Sequence, residues 1–377
     1  TLSLSSAASD VYKRQNLMRI IIVSTSIGFL GSGKGGGVEL TLNSLVLGLL
    51  NKGHYVKVVA PDQSQLSEQC RSAELICVRG TPQTSWQHQD YYAAAETSQD
   101  SIVNALIDKA LSLSNNSDLI INLSYDLQPI SKTLVTQVPI AHLISMGNES
   151  YAISNQIKKT YSKYPHNFAF HTKIQASDYP FVSNPIIVGN GFQLSNYTYC
   201  DERDGPLGWV GRVSPEKGLE DAVYVANKLQ ERLNVWGYIE DEKYALMVED
   251  LDSAGLLSWR GFLSTSKLQE ELCRCRALIN TPKWNEAYGN VVVEAMACGV
   301  PVVAYKRGGP SEIIKHGLTG FLVDPDNKYE LFEYLKKINF IDRYKCRSWV
   351  ENNASINIFA DKVEGWLQKV IENFNNL

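Results

Sequence analysis

From residue 18 onward the chain repeats one move: a short β-branched run, an amphipathic stretch, and another such run. "RIIIVST" and "YVKVVAP" read as strands. "GVELTLNSLVLGLLNKG" between them has helical spacing, with Leu42, Leu45, Leu49 and Leu50 on one face and Gly53 at its C-terminal end. "SIVNALIDKALSL" reads as another helix, and "DLIINLS" and "PIAHLIS" as two further strands. Apolar strands that alternate with helices require a mostly parallel sheet covered on both faces. After the polar stretch "SNYTYCDERDGP" the pattern restarts. "LGWVGRV", "RLNVWGY", "LLSWRGFL", "ALINTP", "PVVAYKR" and "GLTGFLVDP" read as strands, with helices such as "GLEDAVYVANKLQ" and "STSKLQEELCRC" between them. The predicted fold class is therefore α/β, with two doubly wound, Rossmann-like parallel-sheet domains facing a cleft, where open α/β sheets bind ligands.

The expected boundaries are 18–195 for the first domain, 206–350 for the second, and 355–377 for a C-terminal helix that packs back on the first. Residues 1–17, "TLSLSSAASDVYKRQNL", have no apolar core of signal-peptide length and resemble translated adapter read-through. Met18 is the expected natural start. The chain has 377 residues, enough for two cores. A net charge of −4 argues against a nucleic-acid partner. No apolar run approaches the ~18 residues of a membrane span. The seven cysteines offer a single C-x-C pair and no zinc pattern. Reduced thiols and a cytoplasmic location are expected.

Three stretches carry chemistry. "GFLGSGKGGGVEL" joins the first strand to the first helix and has six glycines from Gly28 to Gly37. Backbone without Cβ approaches a ligand closely, and N–H groups at a helix N-terminus favour anions. Gly31, Gly33 and Gly36 also satisfy G-x-G-x-x-G, with Asp62 after the second strand, which leaves a dinucleotide oxidoreductase as an alternative. In "GWVGRVSPEKG" a strand delivers Arg212, and Lys217 follows at a helix start. Arg offers a planar fork and Lys a point charge to a diphosphate. In "EAYGNVVVEAMACG" a helix begins near Asn290 and Val291 with free N–H groups for an anion. Glu294, one turn in, suits a vicinal diol, and the upstream Glu286 faces what lies beyond the phosphates.

These elements resemble the retaining nucleotide-sugar glycosyltransferases of the GT-B fold, in their largest group, which show a Glu–seven–Glu element and a G-R-x4-K-G element. "GGP-x-EII" and "G-x-T-G-F-L-V" extend the likeness. The resemblance implies that Arg212 and Lys217 bind the diphosphate, Glu294 the ribose and Glu286 the donor sugar. It also implies that Gly35, Gly36 and Gly37 close over the phosphates and that His142 touches the donor sugar. Gln193 stands where the group's N-G-x-D element has Asp. The implied reaction retains anomeric configuration and uses no cofactor beyond the sugar nucleotide. No D-x-D element stands in the sugar-phosphate region, so no metal is expected.

A narrower likeness, in "GSGKGGGVELTL", "LINLSYDLQPI" and "VPIAHLISMG", is to the cyanobacterial UDP-glucose:tetrahydrobiopterin glucosyltransferases. It implies UDP-glucose as donor and a reduced pterin as small-molecule acceptor, without stable membrane association. Tyr125 is the expected ring face, with Asp126 or Glu39 as the carboxylate for the pterin's donor edge. A lipid or polysaccharide acceptor is the alternative.

Overall fold

The computed structural model describes residues 17–32, 35–95 and 97–376. The expected leader thus lies outside the described residues apart from Leu17, as do Gly33 and Lys34 of the glycine loop. The chain forms two compact units. One comprises the chain up to His171, Asp178–Gly191 and Phe359 onward. The other comprises Thr172–Ser177 and Phe192–Ile358.

The first unit is built from β1 (Arg19–Val23), α1 (Gly37–Asn51), β2 (Tyr55–Pro61), β3 (Glu74–Val78), α2 (Ile102–Ser112), β4 (Leu119–Asn122), α3 (Leu127–Lys132), β5 (Ile140–Ile144), α4 (Tyr151–Tyr161), β6 (Phe168–Phe170) and β7 (Ile186–Ile187). A short α5 (Lys173–Ser177) lies between β6 and β7 but sits with the second unit. There Thr172 Oγ1 donates to the Ala287 carbonyl at 2.9 Å, and the Ile174 N–H donates to Glu312. The sheet order is β3-β2-β1-β4-β5-β6-β7, and every pair is parallel. This is the doubly wound order, reversing beside β1.

Alternate residues of β1 feed opposite faces, as the strand's period of two dictates. Ile20 and Ile22 join Leu42, Leu45 and Leu49 of α1, while Ile21 and Val23 join Val103, Leu106 and Ile107 of α2. The first face also takes Phe359, Val363, Trp366, Leu367 and Val370 from the last helix. That helix is held further by Lys52–Glu364 (2.7 Å) and by Trp366 Nε1 donating to the His166 carbonyl (2.8 Å).

The second unit repeats the plan with β8 (Leu207–Val210), α6 (Leu219–Leu229), β9 (Leu233–Trp236), α7 (Glu242–Leu251), β10 (Leu257–Gly261), α8 (Thr265–Leu272), β11 (Ala277–Asn280), α9 (Asn290–Ala297), β12 (Val302–Tyr305), α10 (Pro310–Ile313), β13 (Gly320–Val323), α11 (Lys328–Lys336) and α12 (Arg343–Asn353). The last helix, α13, runs Ile356–Asn375. The sheet order is β10-β9-β8-β11-β12-β13, again all parallel. Among the described residues no helix is long and apolar enough to cross a membrane.

Candidate active site

In the second unit the loops at the carboxyl ends of β8, β11 and β12 build one cluster. Arg212 follows β8. Pro215–Lys217 forms one tight helical turn, and Gly218 turns the chain into α6 with φ +65°. A Cβ at Gly218 would lie 2.0 Å from the Thr281 carbonyl oxygen, so both the backbone angle and the space demand glycine. Thr281 Oγ1 donates to the Gly218 carbonyl at 2.7 Å, clamping this turn to the end of β11. Lys217 Nζ thereby meets Glu286 Oε1 at 2.7 Å and lies 5.0 Å from the centre of the Trp284 ring.

Glu286 is held from the other side by the "GGP" turn. The Gly309 N–H donates to the Glu286 carbonyl at 2.7 Å, and a Cβ at Gly308 (φ +58°) would stand 2.2 Å from that oxygen. Glu286 is 8% exposed, and its Oε2 accepts no hydrogen bond. This orphaned oxygen lies near the start of α9, 3.6 Å from where a Cβ on the N-cap residue Gly289 would sit. The N-cap residue Gly289 has no side chain to cap the helix, which opens with Asn290 and Val291. Buried acceptors without donors are rare.

Arg212 is not bare. Glu240, in the loop after β9, grips its Nη1 with both oxygens at 2.9 and 2.8 Å, and Glu216 stands 3.4 Å from Nη2. Glu294 lies one turn into α9 and is 7% exposed. Its nearest donors are Tyr197 Oη at 3.5 Å and Gln269 Nε2 at 3.3 Å, both long. Burial pushes the Glu294 carboxyl up to about 7. The structure thus brings Lys217 and Glu286 into contact, while Arg212 and Glu294 have partners of their own.

In the first unit four of the expected site residues have surroundings of their own. His142 lies inside β5, fully buried. Its Nδ1 contacts Asn122 Nδ2 at 3.1 Å, its Nε2 contacts Thr133 Oγ1 at 2.7 Å, and its ring stacks on Phe168. Burial drops its pKa to about 3. Both ring nitrogens are thus engaged within the unit. Asp126 is 1% exposed and accepts four hydrogen bonds: Ser26 and Ser124 on Oδ2 (2.8 and 2.7 Å), Gln83 and Trp86 on Oδ1 (2.6 and 2.9 Å). It ties three loops together and presents no free oxygen. Tyr125 is 7% exposed, so its ring is a core surface rather than an open stacking face. Glu39, in the first turn of α1, accepts the N–H groups of Gly31 and Gly35 at 2.8 and 2.9 Å and organises the glycine loop from within. Gly36 and Gly37 lead into α1 beside it. Of the dinucleotide pattern, Gly33 lies outside the described residues, and Asp62 accepts from Arg79 Nε at 2.9 Å. Among the described residues no group of three or more His, Cys, Asp or Glu could hold a metal ion.

Glu240, Trp284, Tyr197 and Gln269 escaped the sequence reading. Glu240 carries a weak signal, an acid at the carboxyl end of a strand. Gln269 is a polar residue on the apolar face of an amphipathic helix.

Two parallel-sheet Rossmann-like domains of this order constitute the GT-B fold. Residues 201–367 match the family model described as Glycosyl transferases group 1. Sucrose synthase 2 of Pisum sativum is 31% identical over 184 residues, covering 44% of this chain and 22% of its own length. The sucrose synthase of Acidithiobacillus caldus is 33% identical over 148 residues, covering 37% and 18%. The chain thus spans about a quarter or less of the length of these relatives. Among solved structures, Anabaena HepE in complex with UDP superposes with a TM-score of 0.73 at 16% identity, covering 93% of this chain and all of that one. HepE is also known with UDP and glucose. Sucrose-phosphate synthase of Thermosynechococcus elongatus gives 0.70 at 16% identity, covering 95% and 98%.

Proposed function

We propose that this chain is a retaining, metal-independent hexosyltransferase that moves glucose from UDP-glucose to a hydroxyl of a small acceptor, the side chain of tetrahydrobiopterin. The observation that carries the reading is the Lys217–Glu286 pair at the start of α9, with one Glu286 oxygen lacking a partner. A cation beside a helix N-terminus suits a diphosphate, and the orphaned carboxylate oxygen suits a sugar hydroxyl. The group 1 match over these residues and the UDP in the HepE complex support the same donor class.

In this mechanism the bond from the sugar's anomeric carbon to the β-phosphate breaks as the acceptor oxygen bonds to the same face. The departing phosphate oxygen takes the acceptor proton. Negative charge grows on the diphosphate, where Lys217, Arg212 and the α9 N-terminus stabilise it. Glu240 holds the Arg212 fork in the donor's absence, and phosphate oxygens would compete for it. Glu294 takes the ribose hydroxyls. Gly35, Gly36 and Gly37 would close over the phosphates. The enzyme acts in the cytoplasm, without nucleic acid or stable membrane association.

The test is incubation with a panel of UDP- and GDP-sugars against pterin, simple-sugar and lipid acceptors, with products read by mass. Glucosylated pterin from UDP-glucose is the expected product. Transfer to a lipid or simple sugar alone would remove the pterin assignment, and transfer to none of the acceptors would remove the reading.

A further inference from the structure

A second acidic site lies in the first unit, apart from the Asp126 network. The loop leaving β5 carries Gly147, Asn148 and Glu149, and Asp178 begins the return toward β7. A Cβ at Gly147 would lie 3.0 Å from Asp178 Oδ2 and 3.3 Å from Glu149 Oε1. Both carboxylates therefore turn to the same bare stretch of backbone. Tyr179 fixes that stretch, its hydroxyl donating to the Gly147 carbonyl at 2.8 Å. Among the described residues neither carboxylate has a cation or a side-chain donor. Burial holds both above the usual carboxylate range, and Asp178 raises Glu149 further. Two half-buried like charges without a counter-ion disfavour each other, an arrangement that recurs where a ligand supplies the missing partner.

An independent observation points to the same place. The buried Tyr125 hydroxyl lies against Tyr179 and the backbone of Glu149 and Ser150, yet makes no hydrogen bond of good geometry with any of them. Beside it, Tyr91, Tyr92 and Tyr151 form a ring cluster with centroids 5.0 to 6.2 Å apart. The cluster is tied to this loop by the Tyr151 N–H on the Tyr91 carbonyl (2.9 Å) and by Tyr91 Oη on Asn148 (3.4 Å). Tyr92 and Tyr151 are 74% and 50% exposed.

We propose that Glu149, Asp178 and the Tyr125 hydroxyl recognise the acceptor through its nitrogen edge, the inference resting on the acceptor reading above. A 2-amino-4-oxopyrimidine ring offers an N–H and an amino group side by side and a carbonyl next to them. The carboxylates take the donors, the Tyr125 hydroxyl donates to the carbonyl, and exposed tyrosines lie near the ring face. Glu149 and Asp178 offer this edge two carboxylates without side-chain donors, whereas Asp126 and Glu39 accept hydrogen bonds from within the unit.

Calorimetric titration of the full chain in the presence of UDP tests this. The probes are biopterin, the matching ring with oxygen in place of the 2-amino group, and Ca²⁺. Biopterin should bind more tightly than the 2-oxo ring. Glu149→Gln, Asp178→Asn and Gly147→Ala should each weaken biopterin about 10- to 100-fold with UDP affinity unchanged, and the two carboxylate variants should lose no melting temperature, since each relieves a like-charge contact. Biopterin affinity within twofold of wild type in all three variants would overturn the site, as would Ca²⁺ binding that the two carboxylate variants abolish. The two readings fail separately. Pterin glucosylated by the variants with wild-type KM removes the site and keeps the acceptor. If the wild type glucosylates only a non-pterin acceptor, the pterin reading falls. The site then stands if the variants raise that acceptor's KM alone, and falls otherwise.

Discussion

Two buried polar clusters, one in each unit, treat their valences in opposite ways. Asp126 receives four donors and His142 engages both ring nitrogens, so nothing is left over. Across the Lys217 cluster, Glu286 keeps an oxygen with no donor and Glu294 has only long contacts. Burial alone therefore does not mark a site, since both clusters are buried. A completed hydrogen-bond set acts as a strut, whereas an unmet acceptor beside a cation leaves capacity for a further partner.

The largest expected effect breaks the second cluster. Lys217→Ala and Arg212→Ala should each lower the transfer rate on the order of 10²–10³-fold while the fold stays intact, measured as kcat with circular dichroism as control. Activity within threefold of wild type in both would dissolve the contrast. Next comes Asp126→Asn. An amide NH₂ facing serine, glutamine and tryptophan donors should cost about 3 kcal/mol of stability, read by denaturant unfolding, without altering UDP affinity. A loss of UDP affinity at full stability would make Asp126 a ligand contact.

Glu294 offers a smaller and sharper test. Its carboxyl is raised to about 7, so it is protonated below that pH and ionised above it. Only the ionised form accepts two ribose hydroxyls, so UDP affinity should fall as pH drops below 7 and level off above. Glu294→Gln should weaken UDP about tenfold and flatten the profile. A profile that keeps its slope in the variant would assign the titration elsewhere. The smallest expected effect is none: excess EDTA should leave transfer unchanged. Loss of transfer restored by Mg²⁺ or Mn²⁺ would show that the cations of this cluster do not suffice.

What was legible follows from local physics. β1, β2, β4, β8, β11 and α1 announce themselves because each apolar run or spacing is complete within one element. β3 ("ELICV") lies at the sheet edge with half-exposed residues, and β6 and β7 have three and two residues, too few for a period to show. α12 hides because "RYKCRSWVENN" is mostly polar. Lys217 and Glu286 were both visible in short contiguous motifs around glycines. The saturation of Asp126 was invisible, since three of its donors lie 40 to 100 residues away.

By itself the sequence determined the order of strands and helices and the glycines that admit tight turns, because these depend on side-chain periodicity and backbone sterics within a few residues. Tertiary structure alone decided which carboxylates are free. A carboxylate's availability depends on the donors that surround it, and Gln83, Trp86 and Ser26 reach Asp126, as Lys217 reaches Glu286, only once separate loops converge at the strand ends.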